Sequence, residues 1–88
     1  MAWTIEYARS VQKQVAKLDP QIRRRVRDFL EDRIASLDDP RSVGHSLTGQ
    51  LSGLWRYRAG DFRIICDIQD HRLVVLVVEI GHRGDIYR

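Results

Sequence analysis

One cysteine, two prolines and only two lysines in 88 residues exclude several kinds of protein before any motif is considered. Cys66 has no second cysteine to form an internal disulfide, and no spacing of cysteine with histidine resembles a zinc site. Neither cross-links nor a metal are expected, and a reducing compartment fits the chain best. No apolar run approaches the length of a membrane span, and the opening Met1-Ala2-Trp3-Thr4-Ile5-Glu6 lacks the basic segment and apolar core of a signal peptide. The expected location is the cytoplasm, without membrane association. Repeats, low-complexity tracts and linkers are missing too, and a chain of this length supports one core. Residues 1–88 are therefore expected to form one domain.

The scarcity of lysine has a counterpart. Fifteen basic residues include thirteen arginines, while the formal net charge is only +3. So small an excess does not by itself establish an anionic partner, but guanidinium is the better group for bidentate and stacked contacts to nucleic acid. A GC-rich genome's codons would produce the same bias, so position matters more than number. The informative stretch is Leu54-Trp55-Arg56-Tyr57-Arg58-Ala59-Gly60-Asp61-Phe62-Arg63, followed after one apolar strand by Gly81-His82-Arg83-Gly84-Asp85-Ile86-Tyr87-Arg88. Arginine forks match phosphate geometry and an aromatic ring offers a stacking face, a combination suited to a phosphodiester and an unstacked base. RNA is the implied target.

Hydrophobic spacing gives the elements. Trp3, Ile5 and Tyr7 alternate with polar residues as in a half-buried strand, and Val11, Val15 and Leu18 recur at helical spacing behind Ser10, a candidate cap, although Tyr7 to Arg9 equally serve as a first turn. Asp19-Pro20 reads as N-cap plus first helical residue, and the stripe Ile22, Val26, Phe29, Leu30, Ile34, Leu37 runs to Asp38-Asp39-Pro40. Residues 41–50 read as a loop. Leu54 to Arg58, Phe62 to Gln69 and Leu73 to Ile80 read as three antiparallel strands with turns at Ala59-Gly60 and Asp70-His71, the last strand interior because its apolar run does not alternate. The fold expected is α+β: a strand, a helical hairpin, then a three-stranded meander with both helices on one face.

Trp55, Tyr57, Phe62, Ile64, Cys66 and Ile68 belong on the core face. Pairing Tyr57 with Phe62 and Trp55 with Ile64 achieves this and sets Arg56 opposite Arg63 on the other face, joined by Arg58 and Asp61. Like charges directly opposed on a sheet cost a few tenths of a kcal/mol, up to about 1. An anionic ligand across that face would offset the cost.

Leu47-Thr48-Gly49, Gly53 to Arg58, Gly60 to Ile65 and Ile80-Gly81-His82-Arg83, in this order and spacing, resemble the RelE/ParE superfamily of bacterial toxins of type II toxin-antitoxin systems. The resemblance covers nearly the whole chain. RelE-like members cut messenger RNA on the ribosome, whereas ParE-like members poison DNA gyrase. The RelE-like branch is favoured by a set of residues that maps onto Arg56, Arg58, Arg63, Arg83 and Tyr87. The resemblance implies metal-free and cofactor-free cleavage by the ribose 2′-hydroxyl. Arg63 and Arg83 would bind the scissile phosphate, Tyr87 would stack or donate a proton, and Arg56 and Arg58 would hold neighbouring phosphates. The two strand positions are often lysine in RelE-like toxins, and arginine is no ordinary base at neutral pH. His82 and Asp61 are then the nearby proton carriers, unless positioning and electrostatics do most of the work.

The implied partners are a cognate antitoxin with acidic or amphipathic segments, mRNA, and the ribosomal A site, where Arg23, Arg24 and Arg27 on the second helix are candidates for RNA phosphates. A solvated arginine face, with Arg27 near Glu31, is the plainer account of that cluster. His45 and His71 are read as solvated, and Cys66 as inert packing. A gyrase inhibitor and a catalytically silent binder of nucleic acid or antitoxin remain the rival functions.

Overall fold

The computed structural model describes residues 3–82. Strand β1 (Thr4–Tyr7) leads into helix α1 (Arg9–Lys17) and helix α2 (Pro20–Asp28). A short β2 (His45–Ser46) then precedes β3 (Trp55–Ala59), β4 (Phe62–Gln69) and β5 (Val74–His82). The strands lie in the order β1-β5-β4-β3-β2, with β1 parallel to β5 and the remaining pairs antiparallel. This is the α+β arrangement expected from sequence, with one strand added: β2 occupies the edge that the hydrophobic pattern assigned to loop.

Asp19 accepts a hydrogen bond from the Gln21 amide at 2.9 Å, so the expected cap forms, with Pro20 as the first helical residue. Helix α1 begins one residue before Ser10, and its cap position, Ala8, contributes no side-chain bond. The apolar stripe of the second helix continues as expected, but the backbone widens. After Asp28 the chain is π-helical over Phe29–Ile34, and the Ala35 amide reaches back five residues to the Leu30 carbonyl at 2.9 Å. Leu30 and Ile34 are fully buried in this stretch.

Those two side chains, with Val11 and Val26, pack on Tyr57, Ile64, Cys66, Val75 and Val77, so the helices and the sheet share one core. Burial of this kind stabilises by about 1.5–3 kcal/mol per large aliphatic side chain. Trp3 closes the end of the core, its indole N–H donating to the Asp38 carbonyl at 3.2 Å. Strand β5 is interior, flanked by β1 and β4. Ile65 pairs with Glu79 and Cys66 with Val77, leaving Val78 as a bulge. The bulge lets Val75 and Val77 on one side of it, and Ile80 on the other, all reach the core.

The hairpin register differs from expectation by two residues. Tyr57 faces Ile64 and Trp55 faces Cys66, because β3 extends through Ala59, which pairs with Phe62 across a two-residue loop of Gly60 and Asp61. Gly60 has φ 62°, the positive value that a II′-type loop needs at its first central position. A shift of two preserves every face, so the expected core set holds while the opposed arginines change. Arg63 faces Arg58, and Arg56 faces Ile65.

Candidate functional site

The ladder from β2 to β4 fixes four polar side chains on the sheet face that the helices leave open. His45 stands directly opposite Arg56, and Arg58 directly opposite Arg63. Opposed residues share a face with Cβ atoms about 4.5–5.5 Å apart, and Arg56 and Arg58, two apart on β3, share it as well. Arg58 and His45 are exposed, while Arg56 and Arg63 are half-buried. Among the described residues, Arg56 and Arg58 take part in no ion pair, whereas Arg27 pairs with Asp28, Arg41 with Asp39 and Asp70, and Arg72 with Glu6.

These four residues line a cleft of about 270 Å³ with Phe29 and Arg33 from the π-helical segment. Tyr57 anchors its wall: the hydroxyl is buried and donates to the Pro40 carbonyl at 2.6 Å, and burial pushes the phenol well above its ordinary pKa. Its ring meets Phe29 edge-on at 6.4 Å, and the Arg33 guanidinium lies 5.8 Å from the Phe29 ring centre. Gly44 makes the approach of β2 workable. At φ 90° it has no Cβ, and one placed there would lie 2.8 Å from both the Arg56 carbonyl oxygen and the Tyr57 ring. Several guanidinium groups around an open, partly aromatic cleft favour an anion carrying a planar group, and a phosphodiester with its base is such a ligand.

The expected site residues divide by location. Arg56, Arg58 and Arg63 converge on the cleft. Asp61 lies in the exposed hairpin loop and does not line it. His82 ends β5 opposite Phe62, with ring centres 5.3 Å apart at 85°, on the face away from Arg63. Arg83 and Tyr87 lie outside the described residues. Arg23, Arg24 and Arg27 rim a separate groove of about 350 Å³ between α1 and α2, floored by Val15, Leu18 and Val26. Arg27 pairs with Asp28 at 3.5 Å, not with Glu31 as expected. Burial and then the charge of Glu31 raise the pKa of Tyr7 in that groove. Cys66 is fully buried and its thiol is likewise pushed up by burial, in keeping with a packing role. His71 is exposed in the turn before β5.

His45, Gly44, Phe29 and Arg33 were not legible as cleft residues. A two-residue strand has no period to detect, and Phe29 sits on the apolar stripe that its helix shares with the core.

The family model for "ParE toxin of type II toxin-antitoxin system, parDE" matches residues 5–87. Toxin RelG of Mycobacterium tuberculosis (strain ATCC 25618 / H37Rv) is 30% identical over 88 residues, covering 100% of this chain and 99% of that protein. A chain of the toxin-antitoxin complex RelBE2 from the same species superposes with a TM-score of 0.85 at 26% identity, over 97% of this chain and 95% of the other. A free-state mutant of the Escherichia coli toxin RelE gives 0.75 at 21% identity, over 99% and 88%, a likeness of fold. By family match, by identity along the whole chain and by fold, this protein belongs to the RelE/ParE superfamily of toxins of type II toxin-antitoxin systems.

Proposed function

We propose that this toxin is a ribosome-dependent mRNA endoribonuclease. The observation that carries the reading is the convergence of Arg56, Arg58 and Arg63 on one open sheet face, with Arg58 and Arg63 directly opposed. Like charges directly opposed on a sheet are unfavourable, and a polyanion lying across them offsets that cost. In the reaction, the ribose O2′ loses its proton and bonds to the adjacent phosphorus while the P–O5′ bond breaks and O5′ takes up a proton. The products are a 2′,3′-cyclic phosphate and a 5′-hydroxyl. The nucleophile belongs to the substrate, so the protein's tasks are alignment, stabilisation of charge on the phosphoryl oxygens, and proton transfer. Arg63 serves the scissile phosphate, Arg56 and Arg58 the neighbouring ones. Arg83 and Tyr87 complete the set by family pattern. Arg23, Arg24 and Arg27 serve as contacts to ribosomal RNA on the helical side. A cognate antitoxin with an acidic amphipathic segment restrains the toxin by covering the arginine face; that an antitoxin binds at all is supported by the toxin-antitoxin complex RelBE2 and the archaeal RelE-RelB complex among the similar structures.

The test is 5′-end mapping of a translated mRNA in a ribosome-dependent system. Cuts within the A-site codon, absent without ribosomes and with Arg63→Ala, are expected. Intact mRNA with the wild-type protein overturns the reading. The match to the ParE toxin family favours one second reading, a gyrase inhibitor, for which the mRNA stays intact and supercoiling by purified gyrase is blocked.

A further inference from the structure

We propose that His45 is the proton acceptor for the attacking 2′-hydroxyl. The assignment rests on the ribonuclease reading above and supplies the base that the arginines on β3 leave missing. Arginine stays protonated in proteins, which removes Arg33, Arg56, Arg58 and Arg63 from contention. Tyr57, the other titratable group on the cleft wall, already donates its hydroxyl proton to the Pro40 carbonyl at 2.6 Å and is buried. Asp61 does not line the cleft, and His82 packs against Phe62 on the other face of the sheet. Among the described residues, His45 is then the one imidazole lining the cleft, and imidazole is the side chain most often used as a general base.

Its placement suits that task. Pairing with Arg56 seats His45 beside the arginines expected to hold the phosphates on either side of the reacting ribose. The bond-making step moves the O2′ proton to an imidazole nitrogen as the O2′–P bond forms. The P–O5′ bond then breaks, O5′ is protonated by water, and His45 returns its proton to solvent. Among the described residues, the charged groups lining the cleft with His45 are Arg56 and Arg58 from β3, Arg63 from β4 and Arg33 from the π-helical segment, with Tyr57 as the remaining titratable one.

The deciding experiment measures single-turnover cleavage of ribosome-bound mRNA from about pH 4 to 8, a range that spans the ordinary titrations of glutamate and histidine, for the wild type, His45→Gln and His45→Glu, with melting curves for each. The wild type should lose rate as pH falls. His45→Gln should cut about 100-fold more slowly or worse, the usual scale of general-base loss, and without that acid limb. His45→Glu should recover part of the rate with the limb about 2 pH units lower, following the ordinary difference between the two groups. A glutamine variant with wild-type rate, or one slowed but keeping the wild-type limb, overturns the assignment and leaves the ribonuclease reading intact. A wild type that cuts nothing overturns both.

Discussion

Two arginine clusters of similar size line two separate clefts of this small protein, and their surroundings differ. On β3 and β4 the arginines are held across a hydrogen-bonded ladder, Arg58 against Arg63, over a wall of Tyr57 and Phe29. On α2, Arg23, Arg24 and Arg27 are neighbours along one helix above an apolar groove, and carboxylates stand among them: Asp28 pairs with Arg27 and Glu31 lines the same groove. Strand pairing sets the Cβ atoms of Arg58 and Arg63 directly opposite one another, so two guanidinium groups can close on the same phosphate, which suits stabilising charge that develops there. A single helix turn fixes only the direction in which charge faces, which suits loose contact with many phosphates. The two clusters therefore call for different kinds of loss on mutation.

The sharpest contrast lies in single alanine variants. Arg63→Ala should lower the rate of ribosome-dependent cleavage by about 100- to 1000-fold, the usual loss for a donor aimed at developing charge. Arg24→Ala should lower it by less than about 10-fold, since one exposed phosphate contact contributes little to the chemical step. Equal losses in a single-turnover assay would erase the distinction between the two clusters.

Gly44→Ala attacks one region and spares the other. A Cβ at φ 90° is strained, and it would meet the Arg56 carbonyl and the Tyr57 ring at 2.8 Å. Backbone strain and overpacking together should cost about 2 to 4 kcal/mol, lowering Tm by roughly 10 °C or more for a domain of this size. Displacing β2 should also abolish cleavage, whereas the groove between α1 and α2 has no contact with Gly44. A melting temperature at the wild-type value would show that β2 does not rest on β3 as described.

Charge reversal on the helix gives a smaller and different signature. Arg23→Glu with Arg24→Glu should weaken ribosome binding and reduce the slope of log affinity against log salt by roughly 2, about one per lost phosphate contact. The single-turnover rate at saturating ribosome should stay close to wild type. An unchanged salt slope would make this cluster a solvated face.

Much of the first region was legible in sequence because its determinants are local. Alternation placed Trp55, Tyr57, Ile64 and Cys66 inward, and with them Arg56, Arg58 and Arg63 outward. Which arginines oppose each other was not legible, because a shift of two residues keeps all faces and only the loop length decides it. Ala59 is small enough to read as turn, yet it is buried and pairs with Phe62. His45 escaped for a different reason: a two-residue edge strand exists through Gly44 and its partner strand, so its position is a tertiary fact with no local signal. The π-helical turns are of the same kind, since the pattern Phe29, Leu30, Ile34 fits an α-helix equally well and the widening shows in the backbone, where the Ala35 amide bonds to the Leu30 carbonyl.

The smallest expected effect concerns the ion pair that ties the segment before β2 to the turn before β5. Arg41 grips Asp70 with two parallel bonds of 3.0 and 2.7 Å, and its Nη1 also lies 3.6 Å from Asp39. The hydrogen bond from Arg41 holds the Asp70 carboxyl below its ordinary pKa. A carboxylate lowered in this way adds stability that is present above the pKa of the unfolded chain and is lost as pH falls through the folded value. The contribution should therefore be complete at pH 7 and fade below about pH 4, where unperturbed Asp titrates. Both partners are substantially solvated, so Arg41→Ala should lower Tm only slightly at pH 7 and low salt, and the difference from wild type should shrink in high salt. Thermal melts from pH 7 down through the Asp70 titration, for the wild type and Arg41→Ala, check the sign. The two curves should converge as the pH falls. A gap that widened on acidification would mean that Arg41 stabilises the fold by packing rather than through Asp70.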